Sequence, residues 1–253
     1  THAFLISAFP VLPMAVLRVK AEGVNFGRLA GGILASALRE RSATVDAAGA
    51  AALSNATKAV ALANALAEKQ ATLTRLAFEP QMVVAAEAPG SPEDRKICRL
   101  LVRARTPSAG EEASDFSRGG IVVSNALHRT NPVEQQNPTK LARTVMGEWM
   151  RFAAPELRQA ARAAAKQGGE ASVTGPIGRR ATAPFLVAMG GPSISLAVKS
   201  LAFVCNDLQK NEHLAGVPPL LVVPKLHERK VVFKEGQEKI SKMLILRLVR
   251  ADD

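Results

Sequence analysis

Cations, not nucleophiles, are the residues of this chain whose spacing suggests chemistry. The sequence carries 33 Lys and Arg against 22 Asp and Glu, a formal charge of +11. An excess of that size favours phosphate-rich partners or anionic surfaces. Lys58 and Lys199 each lie beyond an apolar anchor, Leu53 and Ile194. On a helix that spacing turns them away from the core stripe, toward phosphate or toward solvent. Arg158, Arg162 and Lys166 recur at i, i+4 and i+8, a basic stripe suited to a phosphate backbone, an acidic protein or plain solvent. Arg179 and Arg180 extend it. Arg229, Lys230 and Lys234 fall in a segment that reads as a hairpin, which suits RNA backbone, although Glu228 and Glu235 interleave with them. Lys20, Arg28, Arg39, Arg41, Arg95 and Lys96 complete the candidate nucleic-acid contacts.

Enzyme chemistry finds little support. His2, His128, His213 and His227 stand apart in sequence, and no Ser, His and Asp are ordered around a nucleophile elbow. The glycines of Gly27 to Gly32 fall inside a helical pattern, so they make neither a dinucleotide fingerprint nor a P-loop. Gly49 follows a strand and precedes a helix, where it could cradle an anion or serve as a packing turn. Cys98 and Cys205 sit in apolar periodic segments without metal spacing and read as buried, reduced thiols. No catalytic residue, metal or cofactor is expected. With no Tyr, one Trp and nine Phe, base stacking has few platforms.

The longest apolar run, Phe4 to Leu17, is too short to span a membrane and is broken by Pro10 and Pro13. The sequence starts at Thr1, which fits removal of an organelle-targeting peptide and a mitochondrial location, with a cytoplasmic one as the alternative.

Residues 1–13 read as an extended arm. A strand over Ala15 to Ala21 precedes a helix that Asn25 caps and that buries Phe26, Leu29, Ala30, Ile33 and Ala37. Gly31 and Gly32 within it suggest a close packing contact or mere tolerance of glycine. A strand at Ala43 to Ala48 leads into an Ala-rich helix from Ala51 to Lys69. Strands follow at Leu73 to Ala85, with a break at Pro80, and at Arg95 to Arg105. The order is βαβαββ. Residues 107–120, rich in Ser, Gly and acid, read as a linker. The pattern then restarts over 121–253. A strand at Ile121 to Asn125 leads to a helix from Pro138 with Leu141, Val145, Trp149 and Phe152 on one face. A strand at Pro184 to Met189, a helix through Ile194 to Leu208, and strands at Leu220 to Lys225 and Met243 to Arg250 complete it, with His227 to Gly236 extending the hairpin. An insertion at 153–183, carrying a helical run from Pro155 to Gln167, has no counterpart in the first copy.

An internal repeat organises these elements. Setting Lys58 on Lys199 brings Gly49 onto Gly190, Leu53 onto Ile194, Ser54 onto Ser195 and Ala56 onto Ala197. Val45 falls on Leu186, and Leu101-Val102-Arg103-Ala104 matches Leu248-Val249-Arg250-Ala251 in letters.

The first copy carries a family likeness in three stretches. They are Val16-Leu17-Arg18-Val19-Lys20-Ala21, Leu29-Ala30-Gly31-Gly32-Ile33-Leu34, and Ala47 through Gly49, Leu53, Asn55 and Lys58 to Ala61. These resemble the stage V sporulation protein S family, within the Alba-like group. The likeness spans residues 14–106 and reaches 121–253 through the repeat. It implies an α/β, two-layer α+β protein with tandem βαβαββ modules, each a four-stranded mixed sheet with two helices on one face. It also implies association with DNA or RNA. Alba proteins have a Lys-rich loop after the first strand; here that loop is Glu22-Gly23-Val24-Asn25, flanked by Lys20 and Arg28.

The expected function is that of a non-enzymatic, nucleic-acid-associated structural protein. Its expected setting is as an RNA-contacting subunit of a large ribonucleoprotein such as a mitochondrial ribosome, beside ribosomal RNA and neighbouring protein subunits. The two copies would form an intrachain pseudo-dimer or a two-lobed body. The alternatives are a protein-binding adaptor without nucleic-acid contact and an Alba-like DNA-binding nucleoid protein.

Overall fold

The structure is a computed structural model that describes residues 16–70, 72–84, 96–107, 120–123, 137–157, 182–232 and 238–251; the side chains of 229–232, 238, 239 and 241 lie outside that description. The strands are β1 (Val16–Val19), β2 (Ser42–Ala47), β3 (Arg75–Val84), β4 (Lys96–Arg105), β5 (Ile121–Val123), β6 (Phe185–Ala188), β7 (Leu220–Val232) and β8 (Glu238–Arg250). The helices are α1 (Phe26–Glu40), α2 (Gly49–Lys69), α3 (Pro138–Ala153) and α4 (Gly191–Lys210).

Local chemistry accounts for the helix starts. Asn25 Oδ1 accepts the Arg28 N–H at 3.0 Å, and Asn137 Oδ1 accepts the Thr139 N–H at 2.9 Å ahead of Pro138. Each cap satisfies a donor the helix leaves without a partner. At the heads of α2 and α4, Gly49 (φ 84°) and Gly190 (φ 79°) take the left-handed conformation that only glycine adopts without strain. Their shared geometry supports the alignment of the two copies at that point. Gly31 and Gly32 behave otherwise: among the described residues a Cβ at either would meet nothing within 4 Å, which fits tolerance of glycine and not a close contact.

The strands join in a single eight-stranded sheet of order β1-β2-β4-β3-β7-β8-β6-β5. β1 is parallel to β2 and β5 to β6, while every other pairing is antiparallel. Read from either edge inward the order is the same, so the halves continue one sheet instead of making two separate ones. Among the described residues, α1 to α4 bury their apolar stripes on one face, in a continuous core that runs from Ile33 and Leu53 through Phe78 and Val222 to Leu201 and Trp149.

The ladders fix which residues correspond. Val45 pairs with Leu100, and its counterpart Leu186 pairs with Leu246. Leu100 therefore matches Leu246, and Leu101 matches Arg247. The match of Leu101 to Leu248 suggested by the letters is one residue out of register, and a one-residue slip exchanges the faces of a strand. By the same reckoning Phe78, opposite Val102, corresponds to Val222, opposite Leu248. Phe78 and Val222 also pair with each other, and they are the one registered pair between β3 and β7. A pseudo-twofold axis thus passes through that pair.

Two prolines explain why the junction is so short. Pro80 sits opposite Leu100 and Pro224 opposite Leu246, so they occupy equivalent positions on either side of the axis. Neither can donate a ladder hydrogen bond. The neighbouring Leu76 and Pro224 backbones bond to Asn64, which fills the gap at the junction. Backbone alternation therefore turns the donor missing at Pro80 toward β7 and not toward β4. β3 stays continuous through Pro80, where a break was expected. It starts at Arg75, and the hairpin of β7 and β8 extends as anticipated.

Candidate nucleic-acid interface

The face of the first half that is helix-free among the described residues is built by simple strand alternation. Leu100, Val102 and Cys98 of β4 point into the helix-covered core, so Arg99, Leu101, Arg103 and Arg105 take the other face. The ladders place Arg18, Asp46 and Arg99 in one row. Arg103 lies opposite Ser42 and Ala77, and Arg105 lies opposite Arg75. The result is five arginines, Arg18, Arg75, Arg99, Arg103 and Arg105, with two carboxylates, Asp46 and Glu79.

The carboxylates orient particular guanidinium groups. Arg99 Nε and Nη2 donate to the two Asp46 oxygens at 2.8 and 2.9 Å, a bidentate pair. That hydrogen bond, opposed by partial burial, holds the Arg99 guanidinium above its ordinary pKa. Arg103 stays half in solvent and lies 3.5 Å from the more buried Glu79. Arg75 bonds Glu68 of α2 at 3.1 Å, which draws its head group toward the helix layer. Arg18 is exposed at the end of its row. Planar guanidinium groups held this way present several N–H donors in fixed directions, the arrangement that suits phosphate oxygens.

In the second half the corresponding face is mostly apolar, with Arg247 buried among its side chains and Lys225 exposed beside Ile245. Phe185, Leu221, Met243, Ile245 and Val249 are all buried there, and Ala77, Leu221, Val223 and Val249 form a cluster apart from the main core. Position by position, Ile245 stands where the first half has Arg99, and Val249 where it has Arg103. The repeat keeps the strands and exchanges the chemistry of one face.

The cations singled out from sequence do not form one cluster. Lys20 follows Arg18 by two residues, and its carbonyl accepts from Asn55 Nδ2. It and Arg28, exposed in the first turn of α1, flank one end of the first half. Arg39 and Arg41 lie at the opposite end of α1, about 20 Å away by the helix rise. Arg39 pairs with Glu40 at 2.6 Å, and Arg41, at φ 59°, ends the helix. Lys96 is exposed at the start of β4. Lys58 and Lys199 are half-buried, not fully turned outward as expected, because α2 and α4 pack on each other and across the opposite half's central strand. Lys199 acts on the Cys98 thiol of the first half, partly countering the burial that pushes that thiol up to about 12. Arg229 and Lys230 belong to β7 by backbone. Arg95, Arg158, Arg162, Lys166, Arg179, Arg180 and Lys234 lie outside the described residues, as do residues 1–13 and most of the 107–120 and 153–183 segments.

The arginine rows themselves were missed from sequence. The signal was available in Arg99, Arg103 and Arg105, whose even spacing on a strand places all three on one face. Among the described residues no group of His, Cys, Asp and Glu could hold a metal ion, and no helix is long and apolar enough to cross a membrane. Burial pushes both thiols up and leaves them neutral. In comparisons with known proteins, no family model and no curated sequence matches the chain.

Proposed function

We propose that this chain is a non-enzymatic, RNA-associated structural protein, working as an RNA-contacting subunit of a larger ribonucleoprotein, such as a mitochondrial ribosome. The observation that carries this reading is the face of the first half's sheet away from α1 and α2, where Arg18, Arg99, Arg103 and Arg105 stand against Asp46 and Glu79 while Arg75 is drawn toward Glu68. Such a face suits the phosphate backbone, which sets position, and not base edges, which set sequence. Among the described residues no aromatic side chain lies on it, which favours backbone contact over base stacking in this reading. The Alba-like resemblance of the first copy points the same way, and tandem copies of that module remain part of the proposal.

The test is ultraviolet crosslinking of the purified chain to structured RNA, followed by mass spectrometry of the crosslinked peptides. Crosslinks are expected in peptides from β1 and β4. Crosslinks confined to other elements, or none above those of a neutral control protein, would overturn the reading.

A further inference from the structure

The gap beside the axial pair opens into a cleft of ≈ 530 Å³. α2 walls it with Ala61, Asn64, Ala65 and Glu68, and Arg75 and Pro107 close one flank. The opposite wall is β7 from Val223 to Leu226, with Ile245 and Arg247 of β8 beside it. Small-molecule sites have volumes of roughly 300–1,000 Å³ and favour interfaces between structural units. Both conditions hold here.

Charge and surface narrow the ligand. The lining includes three cations, Arg75, Lys225 and Arg247, and one carboxylate, Glu68. The rest is mostly aliphatic or proline, with Leu73 and Leu226 open to solvent. The Pro224 carbonyl faces the cleft side, since it accepts from Asn64 Nδ2 at 3.2 Å. Alternation along β7 turns the N–H and C=O of Leu226 the same way. Among the described residues no ladder partner on the β3 side reaches them, since the registered β3–β7 pair is Phe78 and Val222. The cleft thus combines cations on two of its sides, mostly apolar walls, and a strand edge that turns the Leu226 N–H and C=O toward it.

From this we infer that the cleft binds a nucleoside 5′-phosphate, either free or as the terminal nucleotide of a strand. The phosphate lies among Lys225, Arg247 and Arg75. The base lies between the aliphatic and proline walls, and its polar edge meets the Leu226 backbone. This does not depend on the RNA reading of the arginine face, because the two sites present different residues apart from Arg75.

The equivalent flank across the axis shows how such a cleft is closed. There Glu79 replaces Val223 and Gln209 replaces Glu68, and Gln209 Nε2 donates to the Glu79 carboxylate across the gap. Transplanting that tie as Val223→Glu with Glu68→Gln should fill the cleft.

Calorimetric titration of the full chain with AMP, CMP, GMP and UMP tests the inference. Parallel titrations use inorganic phosphate, a 5′-phosphorylated RNA pentamer, its 5′-hydroxyl counterpart and an acidic peptide. Saturable binding of a mononucleotide is expected, with loss in the double variant and about tenfold weakening by Lys225→Glu. Preference for the 5′-phosphorylated pentamer over free nucleotide and over the 5′-hydroxyl strand assigns the site to a strand end. Lys225 is exposed, so its variant reports even if the double variant misfolds. Absence of nucleotide binding, binding unchanged by Lys225→Glu, or saturation by the acidic peptide alone overturns the inference.

Discussion

The two flanks of the central junction share one framework and differ at a few side chains. On one flank, Asn64 accepts the Leu76 N–H at 2.6 Å and donates to the Leu76 and Pro224 carbonyls at 2.9 and 3.2 Å. It ties both halves together through three hydrogen bonds. On the other flank the equivalent residue is Cys205, whose thiol lies 3.8 Å from the Leu220 carbonyl, the counterpart of Leu76. The Asn64 flank holds an open cleft. The Cys205 flank is spanned by Glu79, which is bonded by Gln209 and Gln81 and faced by Arg103. A duplicated backbone therefore fixes where the halves meet, and a few substituted side chains decide whether that meeting leaves room for a ligand.

Asn64→Leu should break this comparison most severely. It leaves a buried N–H and two carbonyls without their partner, and a loss of about 3 kcal/mol in urea unfolding is expected. A loss below about 1 kcal/mol would mean that the junction is held by packing alone.

Cys205→Ala should cost less, about 1 kcal/mol, since it removes a small buried side chain and one weak donor. If it equals the Asn64 variant, the two flanks are energetically alike and their difference in bonding is without consequence.

The thiols sharpen the same contrast through rate and pH. Burial is the largest cause of the raised values at Cys98 and Cys205, so neither is a thiolate near neutrality. A thiol-specific disulfide reagent at pH 8 should modify both only as fast as the chain opens, and at once in denaturant. Both groups hold protons in the fold above their ordinary value of 9.0. The unfolded chain binds fewer protons there, so their contribution to stability is complete below pH 9 and declines as pH rises toward 12. Unfolding midpoints measured from pH 8 to 11 should fall less in a Cys98→Ala, Cys205→Ala double variant than in the parent chain.

Much of the framework was legible in the sequence. Asn25, Asn137 and Pro138 marked the starts of α1 and α3. The match of Gly49 with Gly190 located the repeat, since both positions take a positive φ that favours glycine. Other features were hidden for physical reasons. Pro80 looked like a strand break because its missing donor matters only if a neighbour needs it, and the neighbouring strand belongs to the distant second copy. The last strand was matched by its letters, Leu-Val-Arg-Ala, although alternation would have set Val102 on Leu248 and kept both in the core. Asn64 gave no warning within an Ala-rich helix, because its partners at Leu76 and Pro224 appear only when the halves close. The arginine face was readable in the even spacing of Arg99, Arg103 and Arg105, but attention to runs of cations favoured Arg39, Arg41 and the Arg158 stripe.

The central claim is that RNA meets the helix-free face of the first half. It is tested most directly by RNA affinity as a function of salt for two charge-reversal pairs. Arg18→Glu with Arg103→Glu alters the proposed face, and Arg39→Glu with Arg41→Glu alters the far end of α1. The account predicts that the first pair weakens binding and lowers the slope of log affinity against log salt by about 2, and that the second leaves the slope unchanged. Equal losses from both pairs, or no loss from the first, would contradict it.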